Sequence, residues 1–356
     1  MRILNVGDFN WMTGAERHTA NLSLFDLRRK LSLGAIRGGH LVVEFSDRAT
    51  ARAGGLLGLR RGRPWAERRF LQCVDELKPE LILLHFADRI SNRALAEARR
   101  LVPGVVIVEV NIDPIDTDKT RRRLAMRGDA ADALFVTTAE PTLGRYVGRG
   151  AFAAYLPNAL DPSVETLRAF ENGSPDFDLL LPVTDQKPRE LGLERIAPAD
   201  ALERLKTVSP GLRLSTPGSG GQPKVFGWAY AEALASARAG WSWSRRASLP
   251  LYASDRMTQF FGCGLVVVQD RRSGFDRLFG KGAAMFYDGL EDLAARLAGL
   301  LADDAAARAM AEAGCARAWT LFESRRVFDY LLAQLFEDGG AKDYEWPCER
   351  WGPISP

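Results

Sequence analysis

The chain has 356 residues, 46% of them apolar and 26% charged; this is close to twice a usual domain of about 150 residues, so two packed domains are expected and a disordered or fibrous chain is excluded. Its 48 basic and 45 acidic residues leave a net charge of +3, which excludes a nucleic-acid coat and a polybasic membrane binder. The basic residues are eight Lys against forty Arg, a bias that a GC-rich genome explains and that also suits bidentate recognition of phosphate or carboxylate.

Taken from the amino terminus, MRILNVGDFN carries one Arg and no long apolar stretch, so it reads as a first strand rather than a signal peptide. RILNV (2–6), LVVEF (41–45), LILLHF (81–86), VVIVEVN (105–111), ALFVTT (133–138) and AAYLPN (153–158) follow as short apolar runs, the pattern of parallel strands buried on both faces. Between the first two, Leu24, Leu27, Leu31 and Ala35 form one helical stripe that Gly38-Gly39 ends. The irregular stretch 156–177 separates this set from a second: DLLLPV (178–183), LRLSTP (212–217), KVFGW (224–228), WSWS (241–244), LVVVQD (265–270) and AAMFYD (283–288), with three helices from about 290 to 336. The expected organisation is an amino-terminal Rossmann-like domain over 1–165, a second over 170–336, and a tail over 337–356 that packs back across the junction so that Tyr344, Trp346 and Trp351 leave water. The fold class is α/β, two tandem doubly wound domains. Cys73, Cys263, Cys315 and Cys348 lie far apart with no C-x-x-C pair, against structural zinc and a disulfide framework. No window holds the run of about 18 apolar residues that a membrane span needs, and a reducing bacterial cytoplasm is the expected compartment.

Open parallel sheets bind ligands at the carboxyl ends of their strands, so two such domains facing a central cleft would place function in the following turns. After the first strand, GDFNWMTGAERH lacks the G-x-G-x-x-G spacing of a dinucleotide site; it is either an ordinary loop or an acceptor-side loop presenting Asn10, Gly14, Glu16, Arg17 and His18. HFADRIS brings His85, Asp88 and Arg89, and NIDPID brings Asn111, Asp113 and Asp116. Asp113, with Asp88 second, is a general base or a helix N-cap, and His85, in an apolar run, is a buried hydrogen-bonded histidine or an acceptor contact. In the second domain, WSWSRRASLPLYASDRMTQFFGCGLVVVQD opens a helix at Ser254 or Asp255. A helix amino terminus suits a diphosphate, and Arg245, Arg246 and Arg256 would add charge-assisted hydrogen bonds unless Asp255-Arg256 is only a surface pair. Asp116-Thr117-Asp118 has the letters of a D-x-D metal motif but follows a first-domain strand.

These segments, in this order, resemble bacterial glycosyltransferases of the GT-B fold, in particular the spore-maturation-protein-like group of the family 1/4-like enzymes. The likeness rests on Ser254-Asp255-Arg256, MTQFFGCG, LVVVQD, LEDLAARLAGLLADD, AEAGCARAW and FESRRVFDYLL, and in the first half on KLSLGAIRGGHLVVEFSDR, HFADRIS, NIDP and YLPNALDP. It implies sugar transfer from a nucleotide-sugar donor, bound by the second domain, to an acceptor hydroxyl of a glycan, glycolipid or protein, bound by the first. No cofactor, metal or nucleic acid is implied, and peripheral membrane association is left open. Arg245, Arg246 and Arg256 would lie near the diphosphate, and Ser254, Asp255 and Gln259 near the sugar or ribose. Two departures stand out: Leu251 and Gln259 occupy the places of a glutamate pair eight residues apart, and TDQKPRE lacks glycines, leaving Thr184, Lys187 and Arg189 to approach phosphate. The alternatives are a nucleotide-sugar epimerase, which needs no acceptor, and a catalytically silent glycan- or protein-binding module.

Overall fold

The computed structural model describes residues 1–9, 26–56, 62–183 and 186–354. The apolar runs of the first half become β1 (Arg2–Gly7), β2 (Leu41–Ser46), β3 (Leu81–His85), β4 (Val106–Asn111), β5 (Ala133–Val136) and β6 (Phe152–Tyr155). They form one parallel sheet in the order β2-β1-β3-β4-β5-β6. β3 and β5 are wholly buried and β2 at the edge is half-exposed, as expected where helices cover both faces of the central strands. The covering helices are α1 (Leu27–Arg37), α2 (Asp47–Leu56), α3 (Gly62–Leu77), α4 (Asn92–Leu101) and α5 (Asp118–Gly128). Side chains satisfy their first-turn amides: Asp26 accepts from Arg29, Ser91 from Ala94 and Thr117 from Thr120, each at 3.2 Å. On α1 the buried face includes Leu27, Leu31 and Ala35, while Leu24 lies outside the described residues.

The second half holds β7 (Phe177–Leu180), the antiparallel hairpin β8 (Arg189–Leu191) and β9 (Glu194–Ile196), then β10 (Leu214–Ser215), β11 (Ala237–Ser242), β12 (Val266–Asp270) and β13 (Met285–Tyr287). Five of these make a parallel sheet ordered β10-β7-β11-β12-β13. Its helices are α6 (Pro198–Val208), α7 (Trp228–Ala235), α8 (Asp255–Gly262), α9 (Asp276–Phe279), α10 (Leu290–Ala302) and α11 (Asp304–Phe322). Trp241 and Trp243 stack at 4.6 Å inside this core, and the Trp241 indole donates to the Tyr287 hydroxyl at 2.9 Å. The run KVFGW is not a strand. Pro223 before it has no amide to give a ladder, Gly227 turns left-handed at φ 56°, and Trp228 opens α7.

Two compact units result, Met1–Pro157 with Ser324–Pro356, and Asn158–Glu323. The division falls at 323 rather than 336 because α12 (Ser324–Phe336) belongs to the first unit, where it packs on α1. Gly34 makes that approach close: a methyl group there would collide with the Ser324 carbonyl. The tail continues in the same unit. Trp351 and Ala153 exchange backbone hydrogen bonds of 2.8 and 2.9 Å along the β6 edge, Tyr330 donates to the Tyr155 carbonyl at 2.9 Å, and Trp346 is buried edge-on against Tyr330 at 5.4 Å. No described helix is long and apolar enough to cross a membrane.

Candidate functional site

In the second unit, polar side chains gather where β7 and β11 end. Arg256 sits in the first turn of α8 and ties those ends together, donating to the Pro182 carbonyl at 2.7 Å, the Trp243 carbonyl at 3.3 Å and the Ser254 hydroxyl at 3.1 Å. Ser254 is the N-cap by position (φ −77°, ψ 163°), yet its side chain accepts from Arg256 instead of capping the helix. Burial lowers the Arg256 guanidinium from its ordinary value against the opposing influence of Tyr230 and Tyr252. Arg189 is buried on β8 and donates to the same Trp243 carbonyl at 3.0 Å. Of the expected phosphate ligands, Arg189 and Arg256 therefore serve as struts of the strand ends.

The remaining residues flank this point. Gln259 is buried on α8, and its amide oxygen accepts from the Tyr230 hydroxyl at 2.8 Å; burial raises that phenol. Arg246 pairs with Glu190 at 2.6 Å, and the Ser248 amide donates to the other Glu190 oxygen at 2.9 Å. Burial acts to raise the Glu190 carboxyl, but the Ser248 hydrogen bonds with Arg246 and Arg272 prevail and hold it below its ordinary range. Arg245 is half-buried beside them, its carbonyl accepting from the Glu190 amide at 3.1 Å. Asp255 is half-buried and Lys187 exposed; Thr184 lies outside the described residues. Leu251 stands left-handed at φ 50° with its amide on the Ser273 carbonyl at 2.8 Å. Glu190 escaped the sequence reading because it sits in a segment read as a turn, although it is the carboxylate that the hairpin β8–β9 brings to the Arg pair.

In the first unit the expected acceptor residues lie after β1 to β4. Arg48 reaches Asp8 at 3.5 Å and Asp88 at 2.9 Å. Asp47, fully buried, accepts from the Arg48 amide at 2.8 Å and the Arg89 amide at 3.0 Å; burial nevertheless raises its carboxyl. His85 is fully buried, and neither ring nitrogen has a partner among the described residues, so the hydrogen-bonded core histidine is not what forms there. Burial, aided by Arg28, holds it well below its ordinary value and so neutral. Asn111 donates to the Asp113 carbonyl at 2.7 Å and accepts from Arg123, which also lies 3.6 Å from the Asp113 carboxylate. Behind them Glu109 is fully buried between Arg123 at 3.7 Å and Arg127 at 3.6 Å. Burial pushes its carboxyl up to about 7 against the pull of the two guanidinium groups.

Asn10, Gly14, Glu16, Arg17 and His18 lie outside the described residues. The letters of Asp116-Thr117-Asp118 are used in opening α5: Thr117 caps it, and Asp118 pairs with Arg121 at 3.8 Å. Among the described residues no group of three or more His, Cys, Asp or Glu side chains is placed to hold a metal ion.

Residues 194–333 match the model of a glycosyl transferase-like family. None of the curated proteins matches the chain. Among solved structures, the chain is similar to sucrose-phosphate synthase of Thermosynechococcus elongatus, with a TM-score of 0.58 and 16% identity over 94% of this chain and 99% of that one. It is similar also to Anabaena Alr3699/HepE in complex with UDP and glucose, at 0.55 and 13% over 93% and 98%. A third is the trehalose 6-phosphate synthase of Burkholderia multivorans, at 0.55 and 14% over 93% and 95%. The fold is thus GT-B, two Rossmann-like α/β units. Within that fold, the stretch 194–333 is similar to the glycosyl transferase-like family.

Proposed function

We propose that the protein transfers a glycosyl group from a nucleotide-sugar donor to an acceptor hydroxyl without a metal ion. The observation that carries this reading is the Arg256, Arg189 and Arg246 cluster at the ends of β7 and β11, inside or beside the stretch that matches the glycosyl transferase-like family. Guanidinium groups fixed beforehand by Pro182, Trp243 and Glu190 need no reorganisation when a nucleoside diphosphate leaves, and one such fixed donor contributes about 3 kcal/mol. Arg245, Arg246 and Arg256, with Thr184, Lys187 and Arg189, would face the diphosphate, and Ser254, Asp255 and Gln259 the sugar or ribose. Asp113, or else Asp88, would take the acceptor proton, with Asn10, Gly14, Glu16, Arg17, His18, His85 and Asn111 on the acceptor side. Surface-glycan, glycolipid or glycoprotein synthesis in a bacterial cytoplasm is the setting this reading assigns. The narrower likeness to spore-maturation proteins rests on motif order. The complexes of Anabaena HepE with UDP and with UDP-glucose support a nucleotide-sugar donor.

Calorimetric titration with a panel of nucleoside mono- and diphosphates tests the donor site. At least one diphosphate should bind wild type and bind Arg246→Gln about tenfold more weakly; no binding by any nucleotide would refute the reading. Leu251, apolar where the resemblance places a carboxylate, favours a silent binding module as the second reading. Turnover of a bound donor by wild type would exclude it.

A further inference from the structure

Arg123 and Arg127 lie one turn apart on α5 and are almost fully buried, at 8% and 1% exposure, whereas Arg residues on such a helix usually reach into water. Arg127 is directed at the loop that follows β3, and Arg123 at that loop and at the one that follows β4. Arg127 donates to the carbonyls of Ala87 at 2.7 Å and Ile90 at 2.8 Å and to the Asn92 side chain at 2.9 Å, so it spans the 86–92 segment that carries Asp88. Arg123 donates to Asn111, lies 3.6 Å from the Asp113 carboxylate, and covers the Phe86 ring at 3.8 Å. Phe86 is left-handed at φ 53°, a conformation that persists only where the surroundings over-determine it. Glu109 of β4 stands between the two guanidinium groups, 3.7 Å from Arg123 and 3.6 Å from Arg127.

Resting on the glycosyl-transfer reading above, we propose that Arg123 and Arg127 are positioning residues that clamp the β3 and β4 loops and so hold Asp88 and Asp113 in register for acceptor deprotonation. Neither Arg need touch a substrate. A carboxylate on a loose loop spends much of its time away from the hydroxyl it must approach, so the clamp acts on turnover rather than on donor affinity.

The test uses full-length wild type, Arg123→Lys and Arg127→Lys, with Arg127→Met as the more severe variant; Lys keeps the charge but lacks the rigid planar fork whose donors point at separate acceptors. Hydrogen exchange is measured on the amides of 86–92 and 111–117, and turnover as nucleoside diphosphate released from a donor that wild type binds, with glycerol as a model acceptor. The expected result is exchange about tenfold faster in 86–92 for the Arg127 variants and in both loops for Arg123→Lys, unchanged in β3 and β4, a turnover at least about tenfold lower, and a donor KM within about twofold of wild type. Unchanged loop exchange in the folded Lys variants would overturn the clamp. Loosened loops with unchanged turnover would overturn its role in catalysis. A wild type that turns over no donor would overturn the glycosyl-transfer reading and with it that role, while the exchange data would still decide whether the clamp exists.

Discussion

Replacing Glu109 by Gln removes a carboxyl that has no exposure to solvent and keeps its shape. Its folded-state value of about 7 stands above the ordinary 4.5 because burial outweighs the attraction of Arg127 and Arg123. A carboxyl raised in the folded state makes its stabilising contribution below its unfolded value and loses it as pH rises through the folded value. At about 1.4 kcal/mol for each pH unit of displacement, the loss totals about 3 kcal/mol, most of it between pH 5 and pH 8. An amide side chain does not titrate, so Glu109→Gln should lie close to wild type near pH 5 and exceed it by about 2–3 kcal/mol at pH 8. Because the chain has two units, the measurement is native-state hydrogen exchange at the amides of β3 and β4, followed from pH 5 to pH 8 and corrected for intrinsic rate. The rival expectation has the opposite sign. If the carboxylate is ionised throughout and its attraction to the two Arg residues prevails, breaking the triad costs about 3–5 kcal/mol at pH 8. A variant weaker than wild type by that amount at pH 8 would show that attraction to the two Arg residues outweighs the burial of Glu109.

Gly34→Ala should loosen α12 from α1, since a methyl group there meets the Ser324 backbone rather than a movable side chain; the expected cost is about 1–3 kcal/mol, read as a lower thermal midpoint. Trp346→Ala should cost about 3–5 kcal/mol by leaving a cavity beside Tyr330 and Tyr344, with faster exchange in β6 and α12 as its signature. Tyr230→Phe removes the hydroxyl donated to Gln259 and should weaken binding of the preferred nucleotide about fivefold in calorimetry, with the fold intact by circular dichroism.

The strand-bearing part of the fold was legible because a parallel strand buried on both faces needs a continuous apolar run, and LILLHF or VVIVEVN has few other uses. KVFGW misled for the same reason, its apolar letters outweighing the Pro223 and Gly227 that flank or end it. The return of α12 to the first unit could not be read from its amphipathic pattern, which says that a face is buried and not against what. At the proposed site, the positions of Asp88, Asp113 and Arg246 after strands and of Arg256 at a helix start could be read from the sequence, and the structure has them there. Arg123 and Arg127 were not: RRRLAMR reads as a solvated helical face, where a surplus of Arg over Lys draws no notice. The signal that could have found them is Glu109, a carboxylate set in an otherwise apolar strand, since a buried charge requires a partner. Glu190 lay hidden for want of any sign that TDQKPRE enters a hairpin.

Glycosyl transfer is read out by mass spectrometry of the products after incubating wild type with a panel of nucleotide sugars, glycerol as acceptor, and a chelator present. Release of nucleoside diphosphate together with a glycosylated acceptor, unaffected by the chelator and reduced in Arg246→Gln, is the predicted result. An epimerised donor with no diphosphate released, or a panel left intact throughout, would contradict it.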